Sequence, residues 1–478
     1  MPAPFNRSAE LEREKRLRLL SDTDRDIIRL VNDPLFPRWL EQIKAVGGCS
    51  HPVYLSGSTI TRNALTGEVI SSYTTATEPG ERLAVRCRNR RASVCVPCSR
   101  LHAGDTFHLV RAGLSGGKSV PDTVQERPRL FVTLTAPAFG PVHRATEDGE
   151  LCRPRRDGPV CEHGRPLGCG LVHSKDDHPV GLPQCGACYD YVGQVLWHAH
   201  AGRLWDRFTT AVRRHLASAG GIPRSRLSDH LVVSFAKVAE FQRRAAVHFH
   251  AVVRLDGPDG PGSAPAAWAS EELLLDAVSH AVASSFVTPP ESDAYGTERL
   301  GWGAQFDARP IRPFNDDDGL SDEAVAAYVA KYVSKGAAET AAGLDYRVTS
   351  LGDIHAAAVN DHIRALMGTC WRLGGLPELE HLRLRVWAHS LGYRGHILTK
   401  SRRYSTTYAA LRADRADHLH GDTEAVDGPD AVTELAWRYV GSGHTPGAAQ
   451  LAAGIAEDLA QNREIAREMA AEEQWSNG

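Results

Sequence analysis

The stretch HLVVSFAKVAEFQRRAAVHFHAVVRLDG (residues 230–257) decides how the chain folds. Two runs rich in β-branched residues flank a short polar turn, which is the pattern of an antiparallel hairpin. Within VHFHAVVRL, Val247, Phe249, Ala251, Val253 and Leu255 point one way, while His248, His250, Val252 and Arg254 point the other. The first set is wholly apolar and belongs to the core, so two imidazoles project together from the opposite face. Folding the preceding strand back over the turn QRRAA pairs Phe241 with Val247. That register sets Glu240 opposite His248 and Val238 opposite His250. Partners across a ladder have Cβ atoms about 5 Å apart, so Glu240, His248 and His250 can converge on one cation. Two imidazoles and a carboxylate leave coordination positions open and suit Mg²⁺ or Mn²⁺ with water or phosphate oxygens. The bland alternative is an ordinary hairpin with two half-buried histidines; the carboxylate in register weighs against it.

A second segment, YVAKYVSKG (residues 328–336), weighs the same way. Tyr328 and Tyr332 are four residues apart, and so are Lys331 and Lys335, so each pair shares a helix face. The four make either a solvated stripe or two nucleophiles beside ammonium groups that favour the phenolate. His198 and His200 form another His-x-His, but on a predicted helix, where such positions diverge, and they are set aside as ligands.

The chain of 478 residues is long enough for two to four domains, and 42% hydrophobic with 24% charged residues is a globular composition. The charged N-terminus shows no secretory signal and no apolar run is long enough to span a membrane, so a cytoplasmic protein is expected. Net charge is only −3, yet basic clusters stand at RCRNRR (86–91), RPRR (153–156) and TKSRRYSTTY (399–408). Strands are expected at 127–137 and 302–311, and helices at 191–218 and 270–286, beside the hairpin. The fold class expected is α+β: a central antiparallel sheet with flanking helices, plus zinc-binding modules and a helical C-terminal tail. The expected divisions are a helical arm at 1–48 and a four-cysteine zinc module at 49–125. A catalytic core follows at 126–345 with a Cys/His-rich insertion at 150–190, then a basic DNA-contacting region at 346–420 and an acidic helical tail at 421–478.

In a reducing compartment the ten cysteines read as metal ligands rather than disulfides. Cys95 and Cys98 form a CxxC knuckle that Cys49 and Cys87 complete as a four-thiolate structural zinc site, with His51 as a spare. Cys185 and Cys188 form a second knuckle, which Cys161 and Cys169 would complete, with Cys152, His163, His173 and His178 competing for places. Two structural Zn²⁺ are therefore expected. Cys370, in an apolar helical stretch, reads as core.

The order FVTLTA (131–136), then Glu240 with HFH (248–250), then YVAKYVSK (328–335) resembles the three motifs of the His-hydrophobic-His endonucleases that initiate rolling-circle replication. The stretches RRASVCVPCSR, VLWHAHAGRLWDRFT and TKSRRYSTT resemble the RepSA-type initiators of actinobacterial plasmids and integrative elements. Over residues 49–410, the resemblance implies a sheet of that endonuclease type. His248, His250 and Glu240 become ligands of a catalytic divalent ion, and Tyr332 and Tyr328 nucleophiles, with Tyr332 favoured to act first. Lys335 and Lys331 become helper lysines, and Thr133 and Thr135 belong to the first motif. It further implies nicking and rejoining of single-stranded DNA through a 5′-phosphotyrosine at a replication origin, contacts to single- and double-stranded DNA, and a host helicase and polymerase as partners.

In the basic region, Arg394, Lys400, Arg402 and Arg403 interleave with Tyr393, Tyr404 and Tyr408, a pattern suited to phosphate contacts and base stacking on a single strand. Rival readings are a zinc-finger DNA-binding regulator without chemistry, a relaxase or transposase with the same core, and a metal-dependent hydrolase of small phosphates. A covalent protein–DNA product separates the first and last from the others.

Overall fold

The computed structural model of the protein describes residues 12, 15, 19–146, 149–153, 160–166, 168–296, 298–312, 320–334, 344, 346–420 and 431–476. The chain divides into two compact units, Ala103–Arg412 and a second made from both chain ends, Met1–His102 with Ala413–Gly478. Residues 103–125, expected in the four-cysteine module, thus belong to the larger unit.

The larger unit is built on six strands: β1 (Arg129–Leu134), β2 (Val232–Phe241), β3 (Val247–Asp256), β4 (Phe306–Arg312), β5 (Leu320–Ser321) and β6 (Leu398–Lys400). They lie in the order β5-β4-β1-β3-β2-β6, antiparallel throughout except for the short β4–β5 pair. The α+β class with an antiparallel sheet is the one expected. Its helices include α2 (Tyr191–Ala219), α3 (Glu271–Ser284), α4 (Asp322–Ser334) and α5 (Asp361–Leu373), with most of α1 (Val96–Ser115) and the start of α6 (Tyr408–His420).

The apolar set of β3 packs as its alternation requires. Val247, Phe249, Ala251, Val253 and Leu255 are buried with Trp197, Leu204, Trp205, Phe208 and Val212, which recur at helical spacing along α2. Each Val, Leu or Phe among them contributes roughly 1.5–3 kcal/mol on burial. Asp190 caps the start of α2 by accepting from the Gly193 N–H. Ser270 caps α3 in the same way at Leu273, with Glu271 and Glu272 in the first turn. Cys370 lies buried in this core on α5.

The other face of the sheet is covered as well. Val238 and Val252 pack with Leu109, Val110 and Leu114 of α1, Val325, Ala326 and Val329 of α4, and Tyr404. Arg254 is fully buried here; its guanidinium donates to Asp256, which also accepts from Ser234. The imidazole face is therefore a second core over most of its length, and only towards the hairpin turn are Glu240 and His248 partly exposed.

In the second unit, Val53–Asn63 pairs along its whole length with Ala431–Ser442 and also carries Val69–Thr74 and Leu83–Val85. The tail is thus only partly helical, contrary to expectation. Residues 431–442 form a strand because AVTELAWRYV is rich in β-branched and aromatic residues and has a long partner to pair with. The terminal helix, Pro446–Ser476, places Ala448, Ala452 and Ile455 against Trp39, Ile43 and Cys49. Gly48 sits at φ +67°, where a Cβ would come 2.6 Å from the Ala452 carbonyl oxygen, so this packing needs glycine. Among the described residues no helix is long and apolar enough to cross a membrane.

Candidate active site and metal centres

The β2–β3 ladder sets Glu240 against His248 and Val238 against His250, the register expected from the turn length. Glu240 Oε2 lies 3.0 Å from His248 Nε2 and 3.2 Å from His250 Nε2, and the two Nε2 atoms are 3.2 Å apart. Three donor atoms thus meet at one point, a set that could hold a metal ion. Burial pushes the Glu240 carboxyl up, but hydrogen bonds from His248 and His250 outweigh it and hold the group at about 2. Burial, the largest influence on His250, pushes its imidazole below the ordinary histidine range. The carboxylate is thus already the anion a cation requires, and an arriving cation would displace the protons that the two Nε2 atoms donate to it.

β1 supplies the support. Thr133 is paired with His250 in the ladder, and its Oγ1 is 2.9 Å from His250 Nδ1. When His250 Nε2 offers its lone pair to a cation, Nδ1 carries the proton and donates it to Thr133. Phe131, two residues earlier on the same face, stacks on the His250 ring at 5.7 Å and 3°. Thr135 does not reach the site: its hydroxyl donates to the Gln305 carbonyl.

Helix α4 brings in Tyr328, whose hydroxyl is 2.9 Å from His250 Nε2 and whose ring stands edge-on to both His250 and Phe131. Its first residue, Asp322, is buried and anchored by Arg129 at 3.1 Å and by the Ser115 hydroxyl at 2.9 Å. A buried ion pair of this kind fixes the helix relative to the sheet more than it adds stability. Lys331 is exposed on the same helix. Lys335 and the Tyr332 side chain lie outside the described residues. The resemblance favoured Tyr332, but the four-residue spacing gave no sign of which tyrosine would lie beside His250, and Phe131 was not read as part of the site.

Nine of the ten cysteines fall into three groups. Cys49, Cys87, Cys95 and Cys98 gather as expected, with all four sulfurs within 4.8 Å of one another. Backbone N–H groups of Ser50, Cys87 and Asn89 donate to these sulfurs, each at 3.4 Å. His51 is exposed and outside the group. In the insertion the expected set is corrected. Cys161, Cys185 and Cys188 are joined by His163, whose Nδ1 is 3.3 Å from Cys188 Sγ, and not by Cys169. Cys169 belongs instead to a further group with His143, Cys152 and His173. The expectation failed because loops impose no spacing on ligands, and because His143 precedes the Cys/His-rich stretch. Eight candidates for a single ion were the available hint that there are two quartets.

His198 and His200 are structural. Nδ1 of His198 donates to the Leu391 carbonyl at 2.8 Å, and its Nε2 accepts from the Val247 N–H at 3.2 Å. The aromatic half of the proposed single-strand track is also corrected. Tyr393 and Tyr404 are buried at 3% and 0% exposure and cannot stack on bases, because their rings complete the two cores. Tyr408 is half-buried, with its hydroxyl 2.7 Å from that of Thr106, whereas Arg402 and Arg403 are exposed.

The profile of the RepSA family, described as replication initiator protein, pSAM2, matches residues 35–457. A replication initiator protein of Streptomyces ambofaciens is 46% identical over 453 residues, spanning 93% of this chain and 95% of that protein. No solved structure matches the chain significantly. With most of its length matched by both, this chain belongs to the RepSA family of replication initiator proteins.

Proposed function

We propose that this replication initiator is a rolling-circle endonuclease of the His-hydrophobic-His type, nicking and rejoining one DNA strand at an origin through a phosphotyrosine. The observation that carries the reading is the convergence of Glu240, His248 and His250 with the Tyr328 hydroxyl 2.9 Å from His250 Nε2. Glu240, His248 and His250 would hold Mg²⁺ or Mn²⁺, since a carboxylate and two imidazoles leave positions for phosphate oxygens. Such an ion, when bound, polarises the scissile phosphate and orients it.

The protein's own groups do the rest. Thr133 holds His250 in the tautomer that presents Nε2, and Phe131 fixes the ring plane. The Tyr328 oxygen bonds to phosphorus as the bond to the 3′ oxygen breaks. The phenol proton passes to water, and the departing oxygen takes up a proton as a free 3′-hydroxyl. One phosphodiester is exchanged for another, so the reverse attack rejoins the strand without ATP. Tyr328 therefore takes the first attack in this reading, where the resemblance favoured Tyr332. Tyr332 is the second nucleophile, and Lys331 and Lys335 stabilise the phenolates. The larger unit is the nuclease and Cys49, Cys87, Cys95 and Cys98 hold a structural zinc. In the cytoplasm a host helicase unwinds the duplex and a polymerase extends the 3′-hydroxyl.

The test uses oligonucleotides tiled across the origin, labelled 3′ of each possible cut, with Mn²⁺ or Mg²⁺ and a denaturing gel. The expected product is a labelled band at protein mass, lost in Tyr328→Phe. Cleavage without a protein-linked band would replace this reading by a hydrolase, and specific binding without cleavage by a regulator.

A further inference from the structure

The insertion has an interior of an unusual kind. Among the described residues 143–188, those that are buried are Cys152, Cys161, Cys169, His173, Gly181 and Cys185. Four of its larger apolar side chains, Leu151, Val160, Leu171 and Val172, are 42–64% exposed, and Val180 and Leu182 are only half-buried. A segment held by the hydrophobic effect shows the reverse. Nor do its described residues form any helix or ladder beyond isolated bridges. The interior consists of cysteine and histidine, and these fall into two quartets. In each, the four ligand atoms lie within 4.8 Å of one another.

Ligand order gives the topology. Along the chain come His143 and Cys152, then Cys161 and His163, then Cys169 and His173, then Cys185 and Cys188. The first and third pairs form one quartet, and the second and fourth the other. We propose that residues 143–188 are a crossed two-zinc module, with His143, Cys152, Cys169 and His173 binding one ion and Cys161, His163, Cys185 and Cys188 the other. Sets of two sulfurs with two nitrogens, and of three sulfurs with one nitrogen, are those of closed structural zinc sites.

The surroundings of the first quartet match that role. The Arg144 N–H donates to Cys152 Sγ at 3.2 Å, and Cys169 Sγ is 3.4 Å from His173 Nε2. Arg153 and Cys169 exchange two backbone hydrogen bonds, which tie the first pair to the third. Asp177 stands 3.7 Å from His173 Nδ1, where a carboxylate orients a ligand histidine. The module also reaches the turn of the β2–β3 hairpin. Gly181, at φ +91°, lies so close to Arg243 that a Cβ would be 2.6 Å from its backbone, and Arg243 pairs with Asp176 at 2.9 Å.

Because each quartet closes around a loop that holds a pair of the other, loss of one ion loosens both. The test is zinc content by mass spectrometry of the purified full chain, compared between wild type, Cys152→Ser and Cys188→Ser. DNA cleavage is not read, so the result is independent of the proposed nuclease activity. Both variants should lose zinc, and interdependence expects each to lose both ions of the module; loss of one ion from each still supports two sites. Cys152→Ser with wild-type zinc content overturns the proposal. As a control for misfolding, His173→Cys should retain the zinc and, loaded with Co²⁺, gain thiolate-to-cobalt charge-transfer absorption. An unchanged cobalt spectrum would place His173 outside any metal site and overturn the first quartet.

Discussion

The β2–β3 hairpin and the 143–188 insertion both gather ligand atoms into groups a few ångströms across, but by opposite means. In the hairpin, Glu240, His248 and His250 are placed by a hydrogen-bonded register whose reverse face is bolted to α2. A slip of one residue would send Glu240 into the core, so the site is specified before any ion arrives. In the insertion, the described residues show isolated bridges but no ladder to place the ligands, and no fully buried large apolar side chain to hold them. On the two proposals made for these sites, one is built by the fold and then offered to a metal, and the other needs the metal to be built.

Removing metal breaks this comparison most sharply. Stripping zinc from the quartets should cost on the order of 10 kcal/mol per ion, as for small zinc domains. Residues 143–188 should then become open to protease and resist again once zinc is restored. A brief wash that empties only the Glu240 site should leave the urea midpoint almost unmoved. Equal destabilisation by both treatments would mean that the hairpin site, too, depends on its ion.

The reverse attack is on the packing behind the ligands. Phe249 lies between His248 and His250 in sequence and is buried among Trp205, Trp302 and Tyr393. Phe249→Ala should cost about 3–5 kcal/mol in urea unfolding, with zinc content unchanged. Loss of zinc as well would show that the insertion leans on the hairpin.

Acid tests the same packing more gently. Burial holds His198 down to about 4, below the ordinary value of about 6.5. The unfolded chain therefore takes up a proton first as pH falls. The stability contributed by neutral His198 is full above about pH 6.5 and is lost towards pH 4, by about 3 kcal/mol in all. His200 and His362, also pushed down by burial, act in the same direction. Acid releases zinc from thiolates too, so the melts should be run with and without added zinc. The His198 part is independent of zinc and should be flattened by His198→Gln.

The same contrast explains what could be read from the sequence. Period-two alternation and a five-residue turn fix register, so the positions of Glu240, His248 and His250 follow from residue order alone. Tyr328 and Tyr332 satisfy one pattern equally, and only the packing of α4 through Asp322 and Arg129 brings the Tyr328 hydroxyl to His250. The two quartets were illegible because ligand choice in loops depends on three-dimensional closure, which put Cys169 in the wrong set. Tyr393 and Tyr404 looked like a stacking surface because basic neighbours surround them in sequence. Burial of a tyrosine depends on what folds over it, here α1 for Tyr404 and the hairpin rings of Phe241 and Phe249 for Tyr393. Residues 431–442 read as tail because their partner, Val53–Asn63, is nearly 400 positions away.

The smallest expected effect probes how finely the ladder prepares its site. Thr133 contributes one hydroxyl, 2.9 Å from His250 Nδ1. Valine has nearly the same shape, so Thr133→Val should leave the fold and the zinc content intact. Without an acceptor at Nδ1, the imidazole proton shifts towards Nε2, where it can donate to Glu240 and no longer offers a lone pair to a cation. Mn²⁺ affinity, read by isothermal titration, should then fall about 10-fold, or about 1.4 kcal/mol. Thr133→Ser should restore most of it, since the hydroxyl returns. A valine variant that binds Mn²⁺ as tightly as wild type would show that the position of His250 is set by the ladder and the Phe131 stack alone. In that case the register is sufficient and the hydrogen bond only accompanies it.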